Sequence, residues 1–311
     1  HLLGVDMGAD FNRTVVTMVG EPEKVLKTVI ECTRIATRII DMSKHTGEHA
    51  RMGAVDVVPF IPISGISMEQ CVNLSKRYAE SVSHELDLPI YLYAEAATNP
   101  NRVSLPNIRR GEYEGFEEKI SDPDWAPDFG PSSFNSRMGV TATGARQILI
   151  AFNVNLDTDD KAKANTIASS IRTSGSLVKD EQGQKIIGED GKPLRKPGLF
   201  KSLQAAGWMY DESTAQVSMN LLDFSVTGLH DVTEAIRKEA SIIGLNVTAG
   251  ELVGLVPLEA MLSAGRFYID DDSIVDEKAV VQKAISGLML GMLDDFEPES
   301  SIIEWAIQKV V

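Results

Sequence analysis

Two histidines, an acid and an arginine fall within seven residues of one short stretch, Asp41-Met-Ser-Lys-His-Thr-Gly-Glu-His-Ala-Arg-Met-Gly53. Imidazole has an ordinary pKa of about 6.5, so it can take and give a proton near neutrality. The stretch leaves a helical pattern and runs into the apolar Val57-Val-Pro-Phe-Ile-Pro62. A loop carried between regular elements is a usual seat for such chemistry. The bland alternative is a polar connection with two solvated histidines. A third reading is metal, because His45-Thr-Gly-Glu-His49 fits H-x-x-E-H, a helical zinc-protease signature. That chemistry needs both imidazoles on one helix face and a further ligand downstream. Gly47 costs a helix about 1 kcal/mol, and Gly53 follows at once, so the segment reads as a helix exit and the zinc site is disfavoured.

Elements that could hold this stretch are legible on both sides. Leu2 to Asp6 reads as a strand, Asp10 to Arg13 as a turn and Thr14 to Val19 as a second, antiparallel strand. Val25, Val29, Cys32, Ile35, Ala36 and Ile39 recur at three and four, the mark of an amphipathic helix, with Pro22 suited to its first turn. Val57 to Ile61 is a buried strand in which Pro59 is tolerable only at an edge or a bulge. Ser67-Met-Glu-Gln70 is a capping box opening a helix to about Leu86, and Pro89 to Tyr93 is another strand. Ala94 to Arg146 is rich in proline and glycine, with Tyr113–Ile120 as its one clear helix. Trp125, Phe129 and Phe134 argue for order there. Either it covers a substrate or it is a structural crossing.

A second unit starts at Gln147. Ile148 to Val154 is a strand, and Asp157-Thr-Asp-Asp160 caps a helix to about Ser174. Residues 175–198 form a polar surface insertion with turns at Asp180-Glu-Gln-Gly183 and Glu189-Asp-Gly191. Strands at Leu203–Met209 and Ala215–Leu221, a helix from His230 to Gly244 and a strand from Val247 complete β-α-β-β-α-β, the ferredoxin-like order. Helical patterns at Leu258–Phe267 and Val275–Leu293 form a tail, with Asp270-Asp-Asp272 as a solvated turn between them.

The chain of 311 residues, 43% hydrophobic, can bury a core and is long enough for two domains. The expected boundaries are 1–146 and 147–311. No apolar run reaches the ~20 residues of a membrane span, and the first residues given do not read as a signal peptide. Cys32 and Cys71 both fall in helical patterns and read as core thiols, which points to a cytoplasmic address. A formal net charge of −15 argues against a nucleic-acid partner.

The central stretch, extended through Ala-Val-Asp-Val-Val-Pro-Phe-Ile-Pro62, resembles the signature of the glutamate formiminotransferase family. The likeness continues through Asn12-Arg-Thr-Val15, Trp125-Ala-Pro-Asp-Phe-Gly-Pro131, Gly144-Ala-Arg146, Ala151-Phe-Asn-Val-Asn-Leu156, Gln216-Val-Ser-Met-Asn-Leu221 and Glu251-Leu-Val-Gly-Leu-Val-Pro257. The resemblance implies an α+β fold of two ferredoxin-like βαββαβ subdomains side by side with a helical tail. It implies that a strand and a helix precede Leu2, since the visible order β-β-α-β-α-β is short of one of each. It implies transfer of a formimino group from N-formimino-L-glutamate to tetrahydrofolate as co-substrate, in histidine breakdown and one-carbon metabolism, by a cytoplasmic homodimer. Formyl transfer, or folate binding without catalysis, would use the same cleft. Family members with a cyclodeaminase continue well past position 311, so that second activity is expected to be absent.

By the same resemblance His49 is the acid–base residue and Asp6 the carboxylate beside it. A strand-end cap is the alternative for Asp6. His45 would be a helix-end or supporting residue, and the 175–198 insertion, which shorter members lack, would carry no catalysis. The segment Gly130-Pro131-Ser132-Ser133-Phe134-Asn135-Ser136-Arg137-Met138-Gly139 matches the folate-binding stretch. Phe134 suits stacking on an aromatic ring and Arg137 pairing with a carboxylate. Ala50 stands where most members have proline. Because both substrates are anionic, local cations are expected on the acidic body, with Arg13, Arg51, Arg137 and Arg146 as candidates. No metal is required.

Overall fold

The computed structural model describes residues 1–8, 12–189, 191–269 and 276–310. The chain divides into two compact units, His1–Gln147 and Ile148–Val311. Among the described residues no helix is long and apolar enough to cross a membrane.

The first unit opens with an antiparallel hairpin, β1 (Leu2–Gly8) and β2 (Arg13–Met18), followed by α1 (Pro22–Ile39) with proline in its first turn. A single 3-10 turn at Met42–Lys44 is capped by Asp41, and the chain to Gly53 then carries no helix. The helical display that H-x-x-E-H requires is therefore not formed. Strand β3 (Val57–Phe60), helix α2 (Met68–Leu86) and strand β4 (Ile90–Ala94) come next. Ser67 caps α2 through the full reciprocal box with Gln70. Helices α3 (Leu105–Arg109) and α4 (Glu112–Ile120) lead to β5 (Thr141–Ala145).

Strands β3, β5 and β4 form a parallel sheet in the order β3-β5-β4. Pro59 lies in β3, an edge strand, where a missing N–H breaks no ladder. A parallel sheet needs cover on both faces, and β4 shows how this is met. Ile90 and Leu92 pack into a core with Leu74, Tyr78 and Val82 of α2, whereas Tyr91 and Tyr93 pack with Ile108, Phe116 and Ile120. The segment expected as a single helix among breakers thus supplies two helices and the central strand of the sheet. Helix α3 is too short to show a period, and β5 is built of small residues, Thr-Ala-Thr-Gly-Ala, without the large apolar side chains that mark a strand.

The second unit contains β6 (Ile150–Leu156), α5 (Lys161–Ile171), the short pair β7 (Ser176–Leu177) and β8 (Arg195–Lys196), then β9 (Leu203–Met209), β10 (Ala215–Leu221), α6 (Leu229–Ile242) and β11 (Val247–Val253). Its sheet is antiparallel in the order β11-β6-β10-β9, the ferredoxin-like arrangement. Ile150, Phe152, Val154 and Leu156 alternate onto the face that packs on Ile167 and Ile171 of α5 and Val232 and Ile236 of α6. Helices α7 (Leu258–Phe267), α8 (Glu277–Gly287), α9 (Pro298–Ser301) and α10 (Ile303–Val310) complete the tail. The Asp270–Asp272 turn lies outside the described residues.

The first unit shares half of this order. Its hairpin β1–β2 corresponds to β9–β10 and its β3 to β11, but they lie in separate sheets, because no described strand takes the place that β6 holds. Of the two cysteines expected in the core, one is there. Cys71 is buried on α2, while Cys32 is exposed, since α1 turns that edge to solvent.

Replacing Ser67 by Ala removes the cap of α2 and is expected to cost about 1 kcal/mol, a fall in Tm of about 2–4 °C for a domain of this size. Thermal unfolding followed by circular dichroism measures it.

Candidate active site

The two stretches that carry the expected site residues are laced together by backbone. The Val140 amide donates to the Met52 carbonyl at 3.0 Å, the Ala54 amide to Met138 at 2.8 Å and the Met42 amide to Arg137 at 2.9 Å. Gly53 and Gly139 face each other as an isolated antiparallel bridge. The approach is so close that a Cβ on Gly53 would sit 2.1 Å from the Val140 carbonyl oxygen, and one on Gly139 2.2 Å from that of Met52. Gly139 also has φ of +70°, a conformation that L side chains rarely adopt. The His49 loop and the 130–139 segment are therefore one structure.

His49 is half-buried. Burial holds its imidazole below the ordinary histidine value, helped by the charges of Arg13 and Arg109, while Asp56 and a hydrogen bond with the Ala50 backbone pull the other way. Asp56 was not foreseen. One of its oxygens accepts from the Met52 amide at 2.9 Å and the other is paired with Arg109. Arg109 is the last residue of α3, and Lys119 clamps that helix end by donating to the carbonyls of Asn107, Ile108 and Arg110. Tyr93, almost fully buried, adjoins the same charges: burial pushes its phenol up, and Arg146, which hydrogen-bonds it, and Arg109 pull it back.

Asp6 is exposed on β1, its backbone opposite Val15. His45 ties the hairpin to the loop, its Nε2 lying 2.9 Å from the Asn12 carbonyl oxygen while Asn12 donates to the Thr46 carbonyl at 2.7 Å. The four candidate arginines part company. The charge of Arg13 acts on His49, and that of Arg146 on Tyr93. Arg51 is already held by a bidentate pair with Glu114, at 2.5 and 2.8 Å, and by Glu112 at 3.4 Å. Arg137 is half-exposed, donates to the Arg38 carbonyl at 2.7 Å and lies 3.9 Å from Asp41.

Within the expected folate segment, Gly130 passes the Leu88 carbonyl and Asn135 accepts from the Arg137 and Met138 amides at 3.1 and 3.0 Å. Phe134 packs on Tyr113, ring centres 5.2 Å apart, and the Tyr113 hydroxyl donates to the Ser136 carbonyl at 2.5 Å. An open depression of about 460 Å³ is lined by Asp87, Pro131, Ser133, Phe134, Asn135 and Ser136. Ser132 is exposed beside it, and Met138 is half-buried against the core under α2. Among the described residues no cluster of three or more His, Cys, Asp or Glu is placed to hold a metal.

Residues 1–146 match the family model for the formiminotransferase domain, N-terminal subdomain, and residues 151–308 match that for the formiminotransferase domain. The chain belongs to the formiminotransferase family. It is 47% identical over 309 residues to the formimidoyltransferase-cyclodeaminase of Mus musculus, covering 98% of this chain and 54% of the relative. The chain thus spans about half the length of the first of the curated relatives it matches. Glutamate formimidoyltransferase of Streptococcus pyogenes serotype M1 is 39% identical over 287 residues, 92% of this chain and 89% of the relative. The Thermoplasma acidophilum protein of that name is 36% identical over 284 residues, 89% and 86% of the two chains.

Membership sorts the site by how each residue could be found. Asp56 lies inside the signature stretch and is the one acid among its apolar neighbours, but an acid before a strand is also an ordinary cap. Arg109 and Tyr93 carry no local signal; only the packing of α3 and β4 brings them to Asp56.

Gly139→Ala is expected to cost about 1–3 kcal/mol for the left-handed conformation alone, plus the displacement of Met52, and to raise amide exchange at Ala54 and Val140. Gly4→Ala, with open space at its Cβ, is the near-neutral comparison. Urea unfolding and hydrogen exchange read both.

Proposed function

We propose that this chain transfers the formimino group of N-formimino-L-glutamate to tetrahydrofolate, releasing glutamate and 5-formiminotetrahydrofolate, with His49 as the acid–base residue and Asp6 as a second carboxylate of the site. The observation that carries the reading is the 39% identity to a glutamate formimidoyltransferase over 89% of that protein's length. The attacking nitrogen must lose a proton and the departing glutamate amine must gain one. One imidazole can do both, for about 10²–10⁴-fold of rate. Neutral His49 takes the first proton, and the imidazolium returns it to the amine.

The Gly130–Gly139 segment supplies the folate contacts in this reading. Phe134 offers a ring braced by Tyr113, and Arg137 an exposed guanidinium for a glutamyl carboxylate. Arg51 is held by Glu112 and Glu114, so it meets a substrate carboxylate only by giving up those partners. The family resemblance extends the proposal to a cytoplasmic homodimer.

Two measurements test the site. His49→Ala should abolish formimino transfer, by 10²-fold or more, while folate still binds by fluorescence titration; turnover at the normal rate would refute the role. Because burial and two cations lower the His49 pKa, its base form persists to more acidic pH than that of a free histidine. The acid limb of kcat/KM is therefore expected below the ordinary histidine value, and a limb above it would contradict the environment described.

A further inference from the structure

The charges of Arg13, on β2, and Arg109, at the end of α3, both act on His49, and those of Arg146, just past β5, and Arg109 act on Tyr93 of β4. Asp56 is the one carboxylate among the charges that act most on this group. Burial lowers the proton affinity of this imidazole most, and the two arginines lower it further, while Asp56 opposes them. A ring of lowered proton affinity takes the proton of the attacking nitrogen less readily, so a carboxylate that opposes the arginines helps it gain the proton that it then returns to the departing amine.

Asp56 is built in from two sides. Its Oδ1 accepts from the Met52 amide at 2.9 Å, closing the loop three residues after His49, and Met52 itself is fully buried. Its other oxygen takes Arg109, whose Nε is buried without a hydrogen-bond partner. Both side chains are about four-fifths buried, at 22% and 18% exposure, so solvent screens the pair less than it would a surface bridge. The carboxylate thus fixes the loop's backbone and offsets Arg109 in one group.

We propose that Asp56 is a positioning residue for His49: it pins the acid–base loop through Met52 and pairs with Arg109, so that His49 can carry the proton it must return. The proposal rests on the reading of His49 as the acid–base residue, and its test needs no turnover. Asp56 and Arg109 act on the ring with opposite sign, so removing each charge has opposite consequences.

The experiment is an NMR titration of the His49 ring in the full chain, assigned by the signal lost in His49→Gln. Asp56→Asn is expected to move the titration to lower pH and Arg109→Gln to higher pH. The double variant, which removes both charges, should fall between the single ones. A merely structural role would not split the two in sign. Shifts in the same direction, or no shift in either, overturn the proposal. If Asp56→Asn fails to fold, Arg109→Gln decides alone: an unmoved or lowered titration rejects it. The acid limb of kcat/KM should follow the NMR shifts. Absence of formimino transfer in the unaltered chain would instead defeat the functional reading, and the signs of the two NMR shifts would still decide the role of Asp56.

Discussion

The site depends on two glycines that cross at van der Waals limits. Gly53 ends the stretch that holds His49, and Gly139 ends the 130–139 segment. Neither stretch belongs to a long ladder, and ordering each would cost backbone entropy of about 1–2 kcal/mol per residue. Backbone bonds from Met42, Ala54 and Val140 fix the two against each other, and only a residue without a Cβ lets the strands come that near. One contact thereby holds the His49 loop and the segment that carries Phe134 together.

The second constraint is electrostatic. A chain of net charge −15 repels anions at long range, but at physiological ionic strength fields are screened over about 8 Å. The local arrangement then decides. The charges of Arg13 and Arg109 act on His49, those of Arg109 and Arg146 on Tyr93, and Asp56 opposes them while paired with Arg109; Arg51 is instead consumed by two glutamates of α4. Residue type alone could not separate these cases. Each arginine looked alike in sequence, and which one is neutralised depends on where α3 and α4 bring their charges.

Legibility in the sequence follows the same division. Elements with a period or a local cap were readable: α1 from its apolar spacing, α2 from its capping box, β9 and β10 from alternation, and the ferredoxin-like order of the second unit from their succession. What was not readable is what tertiary contact creates. Strand β5 is made of small residues, and its Gly144 lies too close to Tyr93 of β4 for a Cβ, so it shows no strand pattern. Helix α3 is a single turn and a half whose value is to deliver Arg109. The signature stretch gave His49, but its neighbour Asp56 gained meaning only once Arg109 was beside it.

The comparison of the two units also explains how the hairpin is held. In the second unit β6 is hydrogen-bonded to both β10 and β11, so a ladder fixes the hairpin against the last strand. In the first unit no described strand is bonded to both β2 and β3. The hairpin is instead tied to the His49 loop by its turn: His45 to the Asn12 carbonyl, and Asn12 to Thr46. His45, the less promising of the two histidines for proton transfer, is thus the one that brings Arg13 toward His49. Asp6, carried on the strand before that turn, depends on the same tie, whereas Asp56 is held by its own short loop and by α3. Of these two carboxylates, the one nearer to His49 in sequence is therefore also the one held without the hairpin.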